Sequence, residues 1–488
     1  MSDQLEALEP KEFFHYFREI SNIPRGSYNV DAISDYLVNF AKERGLEVHQ
    51  DAEKNVIIIK EASEGCEGAE PLMLQGHMDI VSVKEKGSKH DLLKDPLDLF
   101  VEGDLLGARE TSLGGDDGVA VAMGLAFLDD KTLKHPRLEL VVTTNEETGM
   151  EGAHAIDISC CRAERMLNLD SEDEGIFLAG CAGGVKMNGS LDINREKKTG
   201  TKLEISVGGL LGGHSGQEIE KEHANALMLS GRLIRHLWKA FELRLVAFEG
   251  GQADNVIPRD AKLTFLAEDQ DIAKIKELVN KLETEWKTEW GVKDPDLSLT
   301  LEEENDKTHG DVLTKESMEA LSAMLVSLPN GVQAMSADVE GLVETSLNLG
   351  TAALKENSFH FVCLIRSSKD SAKFEVFNKL EAILSLAGGK AEQNSNYPGW
   401  QYRPDSPMRN EMVSLYEEMT GKKAEVMAIH AGLECGLFQG KRPSLDCVSI
   451  GPDMQDIHTA RERLSISSTK RCYEFVRAFI ERSAMKTR

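Results

Sequence analysis

Apolar residues recur at helical spacing through DAISDYLVNFAKERGL (31–46), which closes on a glycine, and the β-branched run NVIIIK (55–60) follows. The change from a period near 3.6 to a short continuous apolar run predicts a helix and then a buried strand. PLMLQGHMDIV (71–81), RLELVVTTN (137–145) and RMLNLD (165–170) read as a second, third and fourth strand, with GVAVAMGLAFLDD (118–130) as a helix among them. Strands alternating with helices of ten or more residues predict an α/β domain with a mainly parallel central sheet flanked by helices.

After GCAGGVKMNGS (180–190) the pattern changes to long charged helices such as DIAKIKELVNKLETEWKTEW (271–290) and alternating strands such as SFHFVCLIRSS (358–368). A Gly, Asn and Pro-rich stretch, GGKAEQNSNYPGWQY (388–402), ends that region, and EMVSLYEEMTG with DCVSIGP returns to helix followed by strand. The expected organisation is a first domain made of residues 1–187 and 396–488, interrupted by an inserted α+β domain over 188–395. The chain shows no short-period repeat and no low-complexity tract.

At 488 residues, 41% hydrophobic and 28% charged, the chain reads as globular, and no apolar run approaches the roughly 18 residues of a membrane helix. The start, MSDQLEALEPKEFFHYF, lacks a basic region followed by an apolar one, so no signal peptide and a cytoplasmic location are expected. Eight cysteines without a C-x-x-C pair predict reduced thiols, the adjacent Cys160 and Cys161 included. A net charge of −27 argues against a nucleic-acid backbone or an anionic membrane as partner.

Acidic and histidine residues recur where the apolar strands end. His77 and Asp79 follow PLMLQG, Glu146 and Glu147 follow LELVVTTN, and Asp170 follows RMLNL, while Asp116 and Asp117 stand in a Gly-rich turn before a helix. Ligands of open α/β sheets bind outside the carboxyl ends of the strands, so these segments can converge. Several ionised carboxylates in a partly desolvated site need a compensating charge, which a divalent cation supplies. Histidine with carboxylate is a ligand set for catalytic zinc, and in H-x-D one side chain can ligate while the other orients its neighbour. Singly, each element has an ordinary explanation: H-x-D as surface decoration, EE as a solvated helix start, DD as a helix N-cap. Their joint occurrence at successive strand ends carries the metal reading.

Competing motifs fail. GGHSGQ has Gln217 where G-x-S-x-G needs glycine, GGVKMNG and AGGKAE lack the phosphate-loop spacing, and LGGDDG follows no dinucleotide-binding pattern.

GHMDIV, GGDDGVAVAMG, TTNEETGMEGA, LNLDSEDEG, GGLLGGHSG and HAGLECG, in order through nearly the whole chain, resemble the dinuclear zinc peptidases that include carnosinase, peptidase T and peptidase V. Within that family the resemblance is strongest to dipeptidases acting on Xaa-His substrates. It implies two zinc ions, replaceable by manganese or cobalt, with His77 and Asp170 on one, Glu147 and His458 on the other, and Asp116 bridging. Asp79 would orient His77, Glu146 would be the general base, and a cis peptide would join Asp116 to Asp117. The inserted domain would be a lid that also mediates homodimerisation. There His214 would stabilise the oxyanion, in its own or the partner subunit's site, and Asn255 and Arg366 would bind substrate, Arg366 pairing with a carboxylate. His430 and Glu434 would line the substrate site. The implied activity is hydrolysis of small unblocked dipeptides, with tripeptide aminopeptidase or N-acyl amino acid deacylase as the alternative.

Overall fold

The β-branched run Val56–Lys60 and the strands Leu72–His77 and Leu138–Thr143 are buried along almost their whole length. Strands covered on both faces have no solvated side, hence the continuous apolar runs in place of alternation. The computed structural model describes residue 5 and residues 7–485, positions 305 and 306 by their backbone alone. The chain divides into two compact units, one comprising the residues up to Gly180 with Tyr402–Ala428 and those from Leu433 onward, the other Cys181–Gln401 with Ile429–Gly432.

The first unit holds an eight-stranded sheet in the order Glu47–Gln50, Val56–Lys60, Leu138–Thr143, Leu72–His77, Arg165–Asn168, Asp446–Ser449, Ile176–Cys181, Glu425–Ile429. Its four central strands, from Leu138–Thr143 to Asp446–Ser449, are mutually parallel, and antiparallel strands flank them on both sides. Parallel pairing brings carboxyl ends to one edge: His77 lies opposite Thr143, and Gln75 opposite Asn168. The run expected to continue to residue 81 stops at His77, because the chain leaves the sheet there and the Ile80 N–H donates to the Arg25 carbonyl instead.

The helix Gly115–Asp129 is buried from Gly115 through Leu128, and its sequence is correspondingly apolar all round. It packs hard on the sheet. A Cβ at Gly76 would fall 2.2 Å from Ala120 Cβ and 2.2 Å from Asp117 Oδ2, and one at Gly124 would fall 2.4 Å from Leu140 Cδ1. Gly76→Ala is therefore expected to lower stability by about 1–3 kcal/mol through overpacking, read as a lower urea midpoint; an unchanged midpoint would show that the helix can withdraw from the strand. The core of this unit includes Phe13, Phe17 and Phe177, and stacks Phe127 on Tyr473 at 4.6 Å.

The second unit holds a nine-stranded sheet paired throughout in antiparallel fashion, with helices Ala226–Phe241, Asp269–Trp290, Lys315–Ser327 and Asp370–Leu386. Gly183–Asp192 alternates between buried and partly exposed positions, as one solvated face requires. This unit starts earlier and ends later than the expected bounds of 188 and 395. Gly183–Asp192 pairs with Ser358–Ser367 along its whole length, so the chain has joined this sheet before its composition changes. The Ala182 N–H donates to the Ile429 and Ala431 carbonyls, which ties the short segment 429–432 into the same unit.

None of the eight cysteines, all among the described residues, forms a disulfide. Among the described residues no helix is long and apolar enough to cross a membrane.

Candidate metal centre

His77, the last residue of its strand, is 1% exposed. Its Nδ1 lies 3.0 Å from the Asp79 backbone oxygen and 3.5 Å from Asp79 Oδ1. With Nδ1 turned to that carbonyl, Nε2 is the nitrogen that faces the carboxylates of the site. Nε2 stands 3.1 Å from Asp116 Oδ1, 3.6 Å from Asp170 Oδ1 and 4.0 Å from Glu146 Oε2. Asp79 thus orients the imidazole chiefly through its main chain. Its carboxylate accepts from Ser27 Oγ at 2.8 Å and from the Glu146 N–H at 3.1 Å, so it also fixes where Glu146 leaves the turn.

Asp116 is the centre of the arrangement. Oδ1 faces His77, and Oδ2 lies 3.0 Å from His458 Nε2. His458 Nε2 is in turn 3.1 Å from Glu147 Oε2. Two groups share Asp116, namely His77–Asp116–Asp170 and Asp116–Glu147–His458, and within each the ligand atoms lie within 4.8 Å of one another; His77, Glu146 and Glu147 form a third such group. Adjacent in sequence, Asp116 and Asp117 do different things. The peptide bond between them is cis, and the Asp117 carboxylate accepts from the His77 N–H at 3.1 Å and the Ala120 N–H at 3.2 Å, fastening the strand end to the helix start.

The electrostatics record a demand for positive charge. Burial alone would lower the His77 pKa, but Asp170, Asp116 and Asp79 push it well above the usual imidazole range. His458, bonded to Asp116 and Glu147, is pushed up to about 11. Burial raises Asp170 to about 6 and holds Glu146 well above the usual carboxylate range. Asp116, although buried, is held far down by its bonds to His458 and His77. Glu147 Oε1 is buried without a hydrogen-bond partner. Imidazole nitrogens, clustered carboxylates and an orphaned buried carboxylate oxygen suit divalent cations better than protons.

Four of the other expected residues belong to the second unit. His214 Nδ1 accepts from the Gln217 N–H at 3.1 Å and the Gly216 N–H at 3.3 Å, so its Nε2 carries the proton and is a donor. Its pKa is lowered by burial and by Arg366. Arg366, 6% exposed, donates to Tyr397 Oη at 3.1 Å while its Nε has no partner. His430 Nε2 lies 2.7 Å from Ser346 Oγ, and burial with the Arg366 charge holds its pKa near 3, which keeps the ring neutral. Asn255 accepts the Ser215 N–H through its backbone oxygen at 2.8 Å, next to His214.

Glu434, expected to line the substrate site, sits in the first unit and is wholly buried. Its Oε2 accepts from Gln75 Nε2 at 2.5 Å and Thr143 Oγ1 at 2.6 Å, bracing the two strands that carry His77 and lead to Glu146. Glu434 opens the helix Glu434–Lys441. Nothing in the sequence marks Ser27 or Arg25; a lone Ser and a lone Arg in NIPRGSYN carry no signal.

The model for peptidase family M20/M25/M40 matches residues 73–482. The cytosol non-specific dipeptidase of Escherichia coli (strain K12) is 37% identical over 468 residues, which span 95% of this chain and 96% of that one. The crystal structure of aminoacylhistidine dipeptidase from Vibrio alginolyticus superposes with a TM-score of 0.91 at 36% identity, covering 99% of both chains. A tripeptidase from Staphylococcus aureus shares the fold at a TM-score of 0.55 and 16% identity, covering 98% of this chain and all of that one.

Proposed function

This chain belongs to peptidase family M20/M25/M40, and from that premise we propose that it is a metal-dependent dipeptidase that hydrolyses small unblocked dipeptides, Xaa-His peptides among them. The observation that carries the metal reading is the Asp116 carboxylate, with one oxygen on His77 and the other on His458. The names of the two relatives at 36–37% identity support the dipeptide substrate, whereas the tripeptidase is similar in fold alone.

In this reading His77 and Asp170 would hold one zinc ion, Glu147 and His458 would hold a second, and Asp116 would serve both; manganese or cobalt could substitute. Bound there, the ions supply positive charge that lowers the pKa of water and polarises a peptide carbonyl. Asp79 orients His77 and fixes the Glu146 backbone. Glu146 takes a proton from the attacking water and passes it to the departing amine. His214, protonated on Nε2, donates to the developing oxyanion. Arg366 pairs with the substrate carboxylate, and Asn255 and His430 complete the substrate site. The inserted unit acts as lid and homodimer contact, and the enzyme works in the cytoplasm.

Purified protein is expected to contain about two divalent ions per chain by elemental analysis and to cleave carnosine and Gly-His in preference to a tripeptide or an N-acetyl amino acid. Cleavage of the acetylated substrate only would sink the dipeptidase reading in favour of a deacylase.

A further inference from the structure

The loop that presents Asp116 is held by a residue outside the ligand set. Glu462, 2% exposed, accepts four consecutive backbone N–H groups with its two carboxylate oxygens: Oε2 from Leu113 at 2.8 Å and Gly114 at 2.9 Å, Oε1 from Gly115 at 2.7 Å and Asp116 at 3.3 Å. Converging N–H groups of this kind form an anion-binding nest. The glycines make it possible. Gly114 has φ +67°, and a Cβ at Gly115 would stand 3.2 Å from Glu462 Oε1 and 3.0 Å from Met454 Sδ.

A buried guanidinium completes the clamp. Arg25, 1% exposed, donates from Nη2 to the Gly114 carbonyl at 2.7 Å and from Nη1 to the Met78 carbonyl at 2.9 Å, and Met78 lies between His77 and Asp79. A Cβ at Gly118 would fall 2.4 Å from Arg25 Nη2, so the helix start is shaped around this side chain. Burial lowers the Arg25 pKa to about 10, against the opposing pull of the Glu462, Asp117, Asp79 and Asp116 charges.

Glu462 stands beside Asp116, and burial together with the Asp116 charge raises its pKa. A neutral amide side chain offers this row of donors a single acceptor oxygen. A carboxylate, however, can accept all four N–H groups at once, and the last belongs to Asp116 itself.

We propose that Glu462, backed by Arg25, is a positioning residue for the metal site: it sets the backbone of Asp116 so that the two carboxylate oxygens meet His77 and His458 together. This rests on the reading of Asp116 as the shared metal ligand. Outer-shell partners of ligands typically contribute about 10–100-fold to metal affinity or activity, and Glu462 does so by fixing the ligand's main chain.

The test is E462Q in the full-length holoenzyme. Glutamine offers one acceptor oxygen and turns an NH2 group towards two of the N–H donors. Relative to wild type, E462Q is expected to bind cobalt or zinc about 10–100-fold more weakly in chelator competition, with an altered visible spectrum of the cobalt form, kcat lowered in the same range, and KM changed little. A folded E462Q with a lower melting temperature but wild-type metal affinity, cobalt spectrum and kcat would overturn the proposal, because fold support alone predicts that pattern. Should E462Q not fold, E462D carries the test: it keeps the charge, is one methylene short of the nest, and is expected to lose at least about tenfold in metal affinity; wild-type affinity in folded E462D overturns the proposal. If wild type itself binds no pair of ions, the reading of Asp116 fails, and not the clamp alone.

Discussion

Glu146→Gln is expected to lower kcat by about 10²–10⁴-fold, the range contributed by a positioned general base, while elemental analysis still finds about two divalent ions per chain. The geometry separates the two readouts. Glu146 Oε2 lies 4.0 Å from His77 Nε2, at the margin of the cluster, whereas Asp116 and Glu147 place oxygens within about 3 Å of histidine nitrogens. Its backbone is held by Asp79 Oδ1, so the neutral isostere keeps its place on the turn. Burial and the nearby Asp170, Glu434 and Glu147 charges, against the pull of His77, keep its proton affinity high, which suits a group that must take a proton from water and deliver it to an amine. Because only the chemical step is affected, kcat and kcat/KM should fall together and KM should stay near wild type. Near wild-type turnover in a variant with full metal content would remove Glu146 from the mechanism.

Asp116→Asn should behave differently, with metal content falling below one ion per chain and activity lost by at least about 10³-fold, more than the 10–100-fold typical of outer-shell partners. Asparagine has the same shape, but one of its two terminal atoms is an NH2 donor with no lone pair to offer a cation. The substitution therefore removes a ligand from both groups that share this residue. Loss of bound metal also removes its stabilisation of the fold, about 2.7 kcal/mol per ion at a free concentration 100 times Kd. The variant in zinc buffer should consequently melt like chelator-treated wild type. Retention of two ions with reduced turnover would mean that Asp116 is no shared ligand.

These outcomes would distinguish residues that the sequence presents as near-identical acids. Local pattern carried most of the fold. The runs at 55–60, 71–81, 137–145 and 165–170 each contain a strand of the first sheet, and 118–130 falls on the helix Gly115–Asp129. Periodicity extends over a few residues and reflects which faces are buried, so it reads out elements without knowing their partners. Element ends were less legible. The stop at His77 depends on a hydrogen bond to Arg25, fifty-odd residues upstream, and the limits of the inserted unit depend on pairing between Gly183–Asp192 and Ser358–Ser367.

What the sequence by itself determined was the alternation of strands and helices, the presence of acids and a histidine at successive strand ends, and the motifs that mark the family. What only the tertiary structure decided was which of those groups meet. Asp116 and Asp117 are adjacent and chemically alike, yet one faces two histidines and the other accepts the His77 and Ala120 N–H groups. His458 became legible from the family motif and not from its own surroundings, and the burial of Glu434 against Gln75 and Thr143 is visible only in the fold. Arg25 and Glu462 left no trace in the pattern. Their roles arise from contacts between segments 89 and about 350 residues apart, and such contacts are set by parallel pairing and loop closure, which no local window of residues can contain.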